Sequence, residues 1–240
     1  MIRTEGEMSV ETLAQRFDVS PETIRRDLGL LAERGRVDKV HGGARRPRLF
    51  HEPTHSARET AAAAAKAAIG RRLIEAVSPG ETLFIDTGST TLAAAETLAA
   101  IPDLTIITNS WRLAERMANA ESTAKIFLLG GQFRADNAQT TGAMAIEQLE
   151  SFRADRAILT IAALDPVFGA MDADLDEAQI ARAMIRNSQS LTILADATKF
   201  GRHAAHVICA ADAIDLIISD GKMEKALQIA LIDKGVTVWT

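Results

Sequence analysis

The residues best placed to do chemistry sit in short polar segments that close apolar runs. Asp86-Thr87-Gly88-Ser89-Thr90-Thr91 follows the run Thr82 to Ile85 and precedes a helix-forming stretch. A strand, a small hydroxyl-rich loop and a helix N-terminus offer backbone N–H groups and the positive end of a helix dipole to an anion. In that arrangement Gly88 lets the backbone approach, and Ser89 and Thr90 supply hydroxyls. The competing reading is plain helix capping by Ser89 or Thr90. Thr108-Asn109-Ser110 and Gly130-Gly131 end further runs, and Thr141-Gly142 precedes another helix. Asp196 closes a later run and is followed by Thr198-Lys199-Phe200-Gly201. Polar loops converging at one edge suit a small polar ligand that carries a phosphate. Lys199 is then the countercharge, and Asp86 or Asp196 accepts sugar hydroxyls. Gly130 and Gly131 are equally explained as a turn.

These loops need strands and helices to hold them. Candidate strands are 82–85, 104–107, 125–129, 156–161, 191–194, 216–218 and 236–239. Candidate helices are 59–77, 90–100, 110–120, 141–151, 176–187 and 222–234. The alternation predicts an α/β fold with a mainly parallel sheet and helices on both faces. Ligands in such sheets bind beyond the carboxyl ends of the strands.

The first fifty residues have a different plan. Val10, Leu13, Ala14 and Phe17 recur at helical spacing. Ser20 is an N-cap and Pro21 occupies the first helical position of a second helix, Pro21 to about Glu33. Ile24, Leu28 and Leu31 form its apolar stripe, and Thr23, Arg25 and Arg26 lie off it. Two short helices with a tight turn form a helix-turn-helix. Val37 and Val40, flanked by Arg36 and Lys39 and closed by His41-Gly42-Gly43, suit a small β-wing. Arg36 and Lys39 meet phosphates in this reading, and Thr23, Arg25 and Arg26 meet base edges or phosphates in the major groove. The alternative for the two arginines is a surface pairing with Glu22 or Asp27.

Charge supports the division. The 240 residues carry a net charge of -5. Residues 1–48 hold 10 Lys and Arg against 8 Asp and Glu, residues 25–48 hold 8 against 3, and the remainder holds 17 against 24. A small basic segment on a larger acidic body is the asymmetry of a DNA-reading head on a sensing body. Prolines 47 and 53 with neighbouring arginines mark a linker. The expected organisation is therefore a head at 1–48, a linker at 49–58 and an effector-sensing domain at 59–240. With 47% hydrophobic and 25% charged residues, a core is sustainable without staples. The single cysteine, Cys209, rules out an intrachain disulfide and a cysteine-based zinc site. No metal site and no cofactor are expected. No run approaches a membrane span and the first residues are not a signal peptide, so a soluble cytoplasmic protein is expected.

The segment from Val19 to Leu28, Val-Ser-Pro-Glu-Thr-Ile-Arg-Arg-Asp-Leu, followed by Val40-His41-Gly42-Gly43-Ala44, resembles the winged helix-turn-helix of the DeoR family of bacterial transcriptional repressors. The body carries that family's pattern in order: Asp-x-Gly-Ser-Thr, Thr-Asn-Ser, Leu-Gly-Gly, Thr-Thr-Gly and Ala-Asp-x-x-Lys-Phe-Gly. The resemblance runs from residue 9 to about 221. It implies a C-terminal domain similar in fold to ribose phosphate isomerase that binds phosphorylated sugars or polyols. It also implies operator DNA as a partner, assembly as a homodimer or homotetramer, and relief of repression of a catabolic operon by the effector. By resemblance Ser20 and His41 join the DNA-binding set. Ile161 to Asp165 and Met171 to Ala178 look closest to the family's glycerol 3-phosphate branch, and Asp165 and Glu177 then border the pocket. The branch tends to have a glycine where Ala163 stands and an aromatic near 173 or 175. Acidic residues at the start of helix 176–187 also explain Glu177. The family usually has a further helix ahead of Ser9, where this chain has Met1 to Met8. Either the start is assigned too late or the head is truncated, which would cost Val10, Phe17 and Ile24 packing partners.

Two other functions fit parts of the sequence. A sugar phosphate isomerase needs a positioned base, for which Asp86, Asp165 or Glu177 stand as candidates. It leaves the basic head unexplained, and no histidine lies at a candidate strand end. A sensor domain with a defective DNA-binding head is the other.

Overall fold

The computed structural model describes residues 1–33, 37–46, 53, 55–221 and 223–240. The head contains α1 (Ile2–Glu5), β1 (Glu7–Ser9), α2 (Val10–Phe17), α3 (Pro21–Glu33), β2 (Asp38–Val40) and β3 (Gly43–Arg45). Both main helices start on serine caps. The Ser9 hydroxyl accepts the Thr12 N–H at 3.1 Å and the Ser20 hydroxyl accepts the Thr23 N–H at 3.2 Å. Helix α2 stops where Asp18 turns left-handed, at φ 53°. The wing strands β2 and β3 pair antiparallel through the His41-Gly42 turn, where Gly42 has φ 75°. Strand β1, which the sequence reading lacks, adds to β3 and gives the order β1-β3-β2. Gly43 makes this possible: a Cβ there would lie 2.3 Å from the Met8 carbonyl oxygen.

The head's core is Met8, Val10, Leu13, Ala14, Ile24, Leu28, Val37 and Ala44. Val10 and Ile24 are thus packed. Phe17 and Leu31, read as part of the apolar stripes, are 57% and 37% exposed. They line an open apolar groove with Ile2, Val19 and Leu28 instead of closing over the core. The periodicity places them on the apolar side of each helix, but α1 has only one turn with which to cover them.

The body begins with α4 (His55–Thr60) and α5 (Ala63–Leu73), then β4 (Thr82–Ile85), α6 (Ser89–Ala93), α7 (Ala95–Ala99), β5 (Thr105–Thr108), α8 (Trp111–Asn119) and β6 (Lys125–Leu128). A hairpin β7 (Gln132–Arg134) and β8 (Gln139–Thr141) leads into α9 (Ala143–Glu150). There follow β9 (Ala154–Thr160), β10 (Ala163–Asp165), β11 (Gly169–Asp172), α10 (Leu175–Arg186), β12 (Ser188–Leu194), β13 (His206–Cys209), β14 (Leu216–Ile218), α11 (Lys225–Ile232) and β15 (Thr237–Trp239). The main sheet has seven strands in the order β15-β14-β12-β9-β4-β5-β6, and every pairing in it is parallel. Strands β10, β11 and β13 form a small antiparallel sheet.

Alternation along the strands fills two cores. Leu83, Ile85, Ile106, Ile158 and Ile218 face α5, α7 and α8 through Ile69, Leu73, Leu98, Leu113 and Met117. Phe84, Ile107, Ala157, Leu159 and Ile217 face α9 and α10 through Leu149, Ala178 and Met184. Near-continuous apolar runs are what a sheet covered on both faces requires.

Two helices expected to be continuous are divided. The stretch 59–77 becomes α4 and α5, with Ala62 at φ 54° between them. The buried Lys66 ammonium donates to the carbonyls of Arg58 and, at 2.8 Å, Ala61, and so closes the end of α4. The stretch 90–100 becomes α6 and α7, jointed at Ala94. A Cβ on Gly70 of α5 would sit 3.0 Å from the Ala94 Cα, so the joint packs directly on α5. Residues 55–58, placed by sequence in the linker, form the start of α4. The rest of that linker, 47–52 and 54, lies outside the described residues.

Candidate functional site

The strand order reverses next to β4. Strands β5 and β6 follow outward on one side, while β9, β12, β14 and β15 follow on the other. A crevice forms where the connections leave a sheet in opposite directions, beyond the carboxyl ends of the two central strands. Asp86 stands directly after β4 and Thr160 ends β9, so the two meet at this point. The Asp86 Oδ2 accepts the Thr160 backbone N–H at 2.8 Å and its hydroxyl at 3.1 Å. The other oxygen, Oδ1, is buried without a hydrogen-bond partner among the described residues. Burial pushes the Asp86 carboxyl up to about 8, against the two Thr160 hydrogen bonds and with help from Asp172 and Glu177.

A polar cleft surrounds Asp86. Arg58, Thr87, Asn109, Gln139, Thr160, Asp172 and Glu177 line it over an apolar floor of Ile161, Ile180 and Ala181. One hydrogen-bonded chain runs along its wall. The Arg58 Nη2 donates to Asn137 Oδ1 at 3.2 Å, and the Asn137 amide donates to Glu177 Oε1. The same Glu177 oxygen takes the Gln139 amide at 2.5 Å, and Gln139 Oε1 takes the Asn109 amide at 3.2 Å. The Thr87 hydroxyl closes the chain on Asn109 Oδ1 at 3.2 Å. Glu177 is held at the start of α10, whose N-cap Asp174 accepts the Asp176 and Glu177 N–H groups and pairs with Arg134 at 2.7 Å.

Helix α4 is fixed beside the cleft. Arg112 donates to Glu59 at 3.0 Å and lies 3.1 Å from His55 Nδ1. Burial, with Arg58 and Arg112 nearby, pushes His55 down to about 4, so a neutral ring accepts from Arg112.

Of the residues singled out by sequence, the cleft gathers Asp86, Asn109 and Glu177. Thr108, Ser110 and Thr141 are buried and do not line it. The Thr108 hydroxyl accepts the Ser110 N–H, and Ser110 caps α8. Gly88 is the N-cap of α6, with Ser89 and Thr90 in its first turn. Neither caps the helix; Thr91 reaches back to the Gly88 carbonyl at 2.9 Å. The close approach that Gly88 permits is to Thr160, whose Oγ1 would lie 2.2 Å from an added Cβ. Gly130 donates to Gln148 and Gly131, at φ 137°, passes close to the Thr141 carbonyl. Gly142, at φ 90°, precedes α9.

Asp165, Asp196 and Lys199 do not line the cleft. Asp165 holds the turn between β10 and β11 through the Val167 and Phe168 N–H groups. Asp196 takes the Thr198 N–H and hydroxyl and opens the short 3-10 turn that ends at Lys199. Sequence reasoning missed Arg58, Gln139, Thr160 and Asp172. The strand-end rule applied to β9 finds Thr160. Arg58 and Gln139 come from elements with no sequence periodicity.

In the head, Thr23, Arg25 and Arg26 stand exposed on the outer side of α3, and Lys39 and His41 are exposed on the wing. Arg25 pairs with Glu22 at 3.2 Å. Ser20 spends its hydroxyl on the α3 cap. Arg36 lies outside the described residues. No helix among the described residues is long and apolar enough to cross a membrane.

Comparison with known proteins matches both parts. The DeoR-like helix-turn-helix domain matches residues 1–48 and the DeoR C terminal sensor domain matches residues 61–221. The glycerol-3-phosphate regulon repressor of Escherichia coli is 32% identical over 234 residues, 97% of this chain and 92% of the relative. A tetrameric eIF2B complex from C. thermophilum shares the fold, with a TM-score of 0.50 and 12% identity over 71% of this chain and 60% of that one. Ribose 5-phosphate isomerase A from Methanocaldococcus jannaschii aligns with a TM-score of 0.41 and 13% identity over 56% of this chain and 53% of that one. Both solved structures are matched over less than two thirds of their length. With a repressor as a full-length relative, the isomerase reading gives way to regulation. The chain belongs to the DeoR family and is a DNA-binding transcriptional regulator, with a DeoR-like helix-turn-helix ahead of a DeoR sensor domain.

Proposed function

We propose that the cleft between β4 and β9 binds a phosphorylated sugar or polyol, such as glycerol 3-phosphate, and that its binding relieves repression of a catabolic operon. The observation that carries this reading is Asp86, a buried carboxyl at the strand-order reversal with one oxygen unused inside a polar cleft. Such an oxygen is completed by a ligand hydroxyl. Asn109 and Glu177 supply further polar contacts, while Ser89, Thr90, Thr108, Ser110 and Thr141 are buried without lining the cleft. On the DNA side, Thr23, Arg25 and Arg26 enter the major groove, with Lys39, His41 and Arg36 on phosphates. Two heads of a homodimer, or of a homotetramer, meet half-sites about one helical turn or a multiple apart. The effector must favour the DNA-free conformation, since a ligand indifferent to the two conformations shifts nothing.

The test is a thermal-shift screen with phosphorylated sugars and polyols beside their unphosphorylated counterparts, followed by operator release. A ligand that binds only the native state raises the melting temperature. A phosphate-dependent rise and release of operator by the same compound are expected. Absence of any phosphate-dependent rise removes the effector assignment.

A further inference from the structure

The cleft is acidic. Asp86, Asp172 and Glu177 line it, and Arg58 is the one cationic side chain among its described lining residues. An anion entering such a site needs a cation to meet it, because Asp172 and Glu177 carry like charge. Lys199, the basic residue of the Lys-Phe-Gly segment, does not line the cleft.

Arg58 reaches the cleft from an informative direction. It belongs to α4, the first helix after the wing among the described residues, the wing itself ending at Arg45. Its Nη2 donates to a neutral amide oxygen, that of Asn137. A phosphate is the stronger acceptor, and its oxygens match the fork of a guanidinium. Asn137 can give up this bond while its own amide still holds Glu177. The backbone under Arg58 is also tied down, because its carbonyl takes the Lys66 ammonium. A pull on the guanidinium is therefore felt by α4 as a whole, not absorbed in a loose loop.

We propose that Arg58 takes the anionic group of the effector, and that the effector thereby grips α4, on the head side of the sensor in sequence. The inference rests on the effector reading of the same cleft and adds to it the recognising cation and the helix that carries it.

The experiment uses the full chain and its Arg58→Gln, Arg58→Lys and Lys199→Ala variants. Binding of glycerol 3-phosphate, fructose 6-phosphate, glycerol and inorganic phosphate is measured by titration calorimetry, and operator release by fluorescence anisotropy. Arg58→Gln is expected to weaken the phosphorylated ligand at least tenfold and to hold operator at ligand concentrations that release the wild type. Arg58→Lys is expected to lose severalfold, since one ammonium replaces a two-pronged contact. Lys199→Ala is expected to stay within twofold of the wild type. Phosphorylated-ligand affinity within twofold of wild type in Arg58→Gln overturns the proposal. If that variant does not fold, unchanged affinity in Arg58→Lys overturns it. A wild type that binds none of the phosphorylated compounds brings down the effector reading itself, an outcome separate from a loss confined to Arg58.

Discussion

Thr160 holds one oxygen of Asp86 twice, through its backbone N–H at 2.8 Å and its hydroxyl at 3.1 Å, and leaves the other buried and unused. Burial, against those two hydrogen bonds, pushes the carboxyl up to about 8 in the folded protein from an ordinary value of 3.8. Between those values the folded state keeps a proton that the unfolded state has lost. Stability therefore falls as pH rises through the window, by up to roughly 1.4 kcal/mol per pH unit, and the loss is complete above about 8. Asp86→Asn removes the dependence. Its melting temperature is expected to exceed that of the wild type at pH 8 and to match it or fall below it at pH 4. Parallel melting curves for the two proteins across the window would disprove the burial of an ionisable Asp86.

The same threonine explains a glycine. Gly88 has φ -152°, extended backbone open to any residue, so its requirement is one of space. A Cβ there would meet Thr160 Oγ1 at 2.2 Å, Cγ2 at 2.6 Å and Cβ at 2.8 Å. Gly88→Ala is expected to cost about 1–3 kcal/mol, as overpacked core sites do. It should also displace the Asp86 partner and weaken effector binding. Thr160→Ala in the same chain removes two of the three clashing atoms and should recover part of the loss. A denaturant double-mutant cycle measures this, and strict additivity of the two changes would deny the contact.

How much of this was legible beforehand divides along physical lines. All seven strands of the main sheet were readable, because a sheet buried on both faces demands unbroken apolar runs such as Leu83-Phe84-Ile85. The three- and four-residue strands β1, β7, β8, β10, β11 and β13 were not. Their pairing is decided by partners distant in sequence, as with Met8 opposite Ala44. In the cleft, Asp86 and Asn109 followed from their places at strand ends. Arg58 did not, since the sequence reading put it in the linker and its role depends on α4 reaching Asn137 in the turn between β7 and β8. Phe17 illustrates the opposite failure: a correct helical period whose last member lines an open groove instead of the core.

The head offers a prediction independent of the cleft. Arg25 and Arg26 are both exposed on α3, and Arg25 is tied to Glu22 only by a surface pairing worth little. Arg25→Ala and Arg26→Ala should each weaken operator binding by about 1–3 kcal/mol while effector affinity stays unchanged. Anisotropy on an operator selected from random duplexes, repeated on a scrambled duplex, separates their roles. A loss on both duplexes with a shallower salt dependence marks a phosphate contact, and a loss on the operator alone marks a base contact. Full affinity in both variants would remove α3 from the interface.

Lys66 ties α5 to the end of α4. Its ammonium is buried and donates to the carbonyls of Arg58 and Ala61 at the end of α4. Lys66→Met keeps most of the stem and removes the donor, leaving those carbonyls without it. A loss of about 1–3 kcal/mol is expected, the usual consequence of stranding buried polar groups. The more telling readout is functional. If α4 carries the effector signal, a helix no longer closed at its end transmits less of it. Lys66→Met should then bind glycerol 3-phosphate with near-normal affinity yet release operator over a smaller range. Faster hydrogen exchange confined to residues 55–61 would accompany the change. Normal release beside accelerated exchange would mean that the signal reaches the head by a path that bypasses α4.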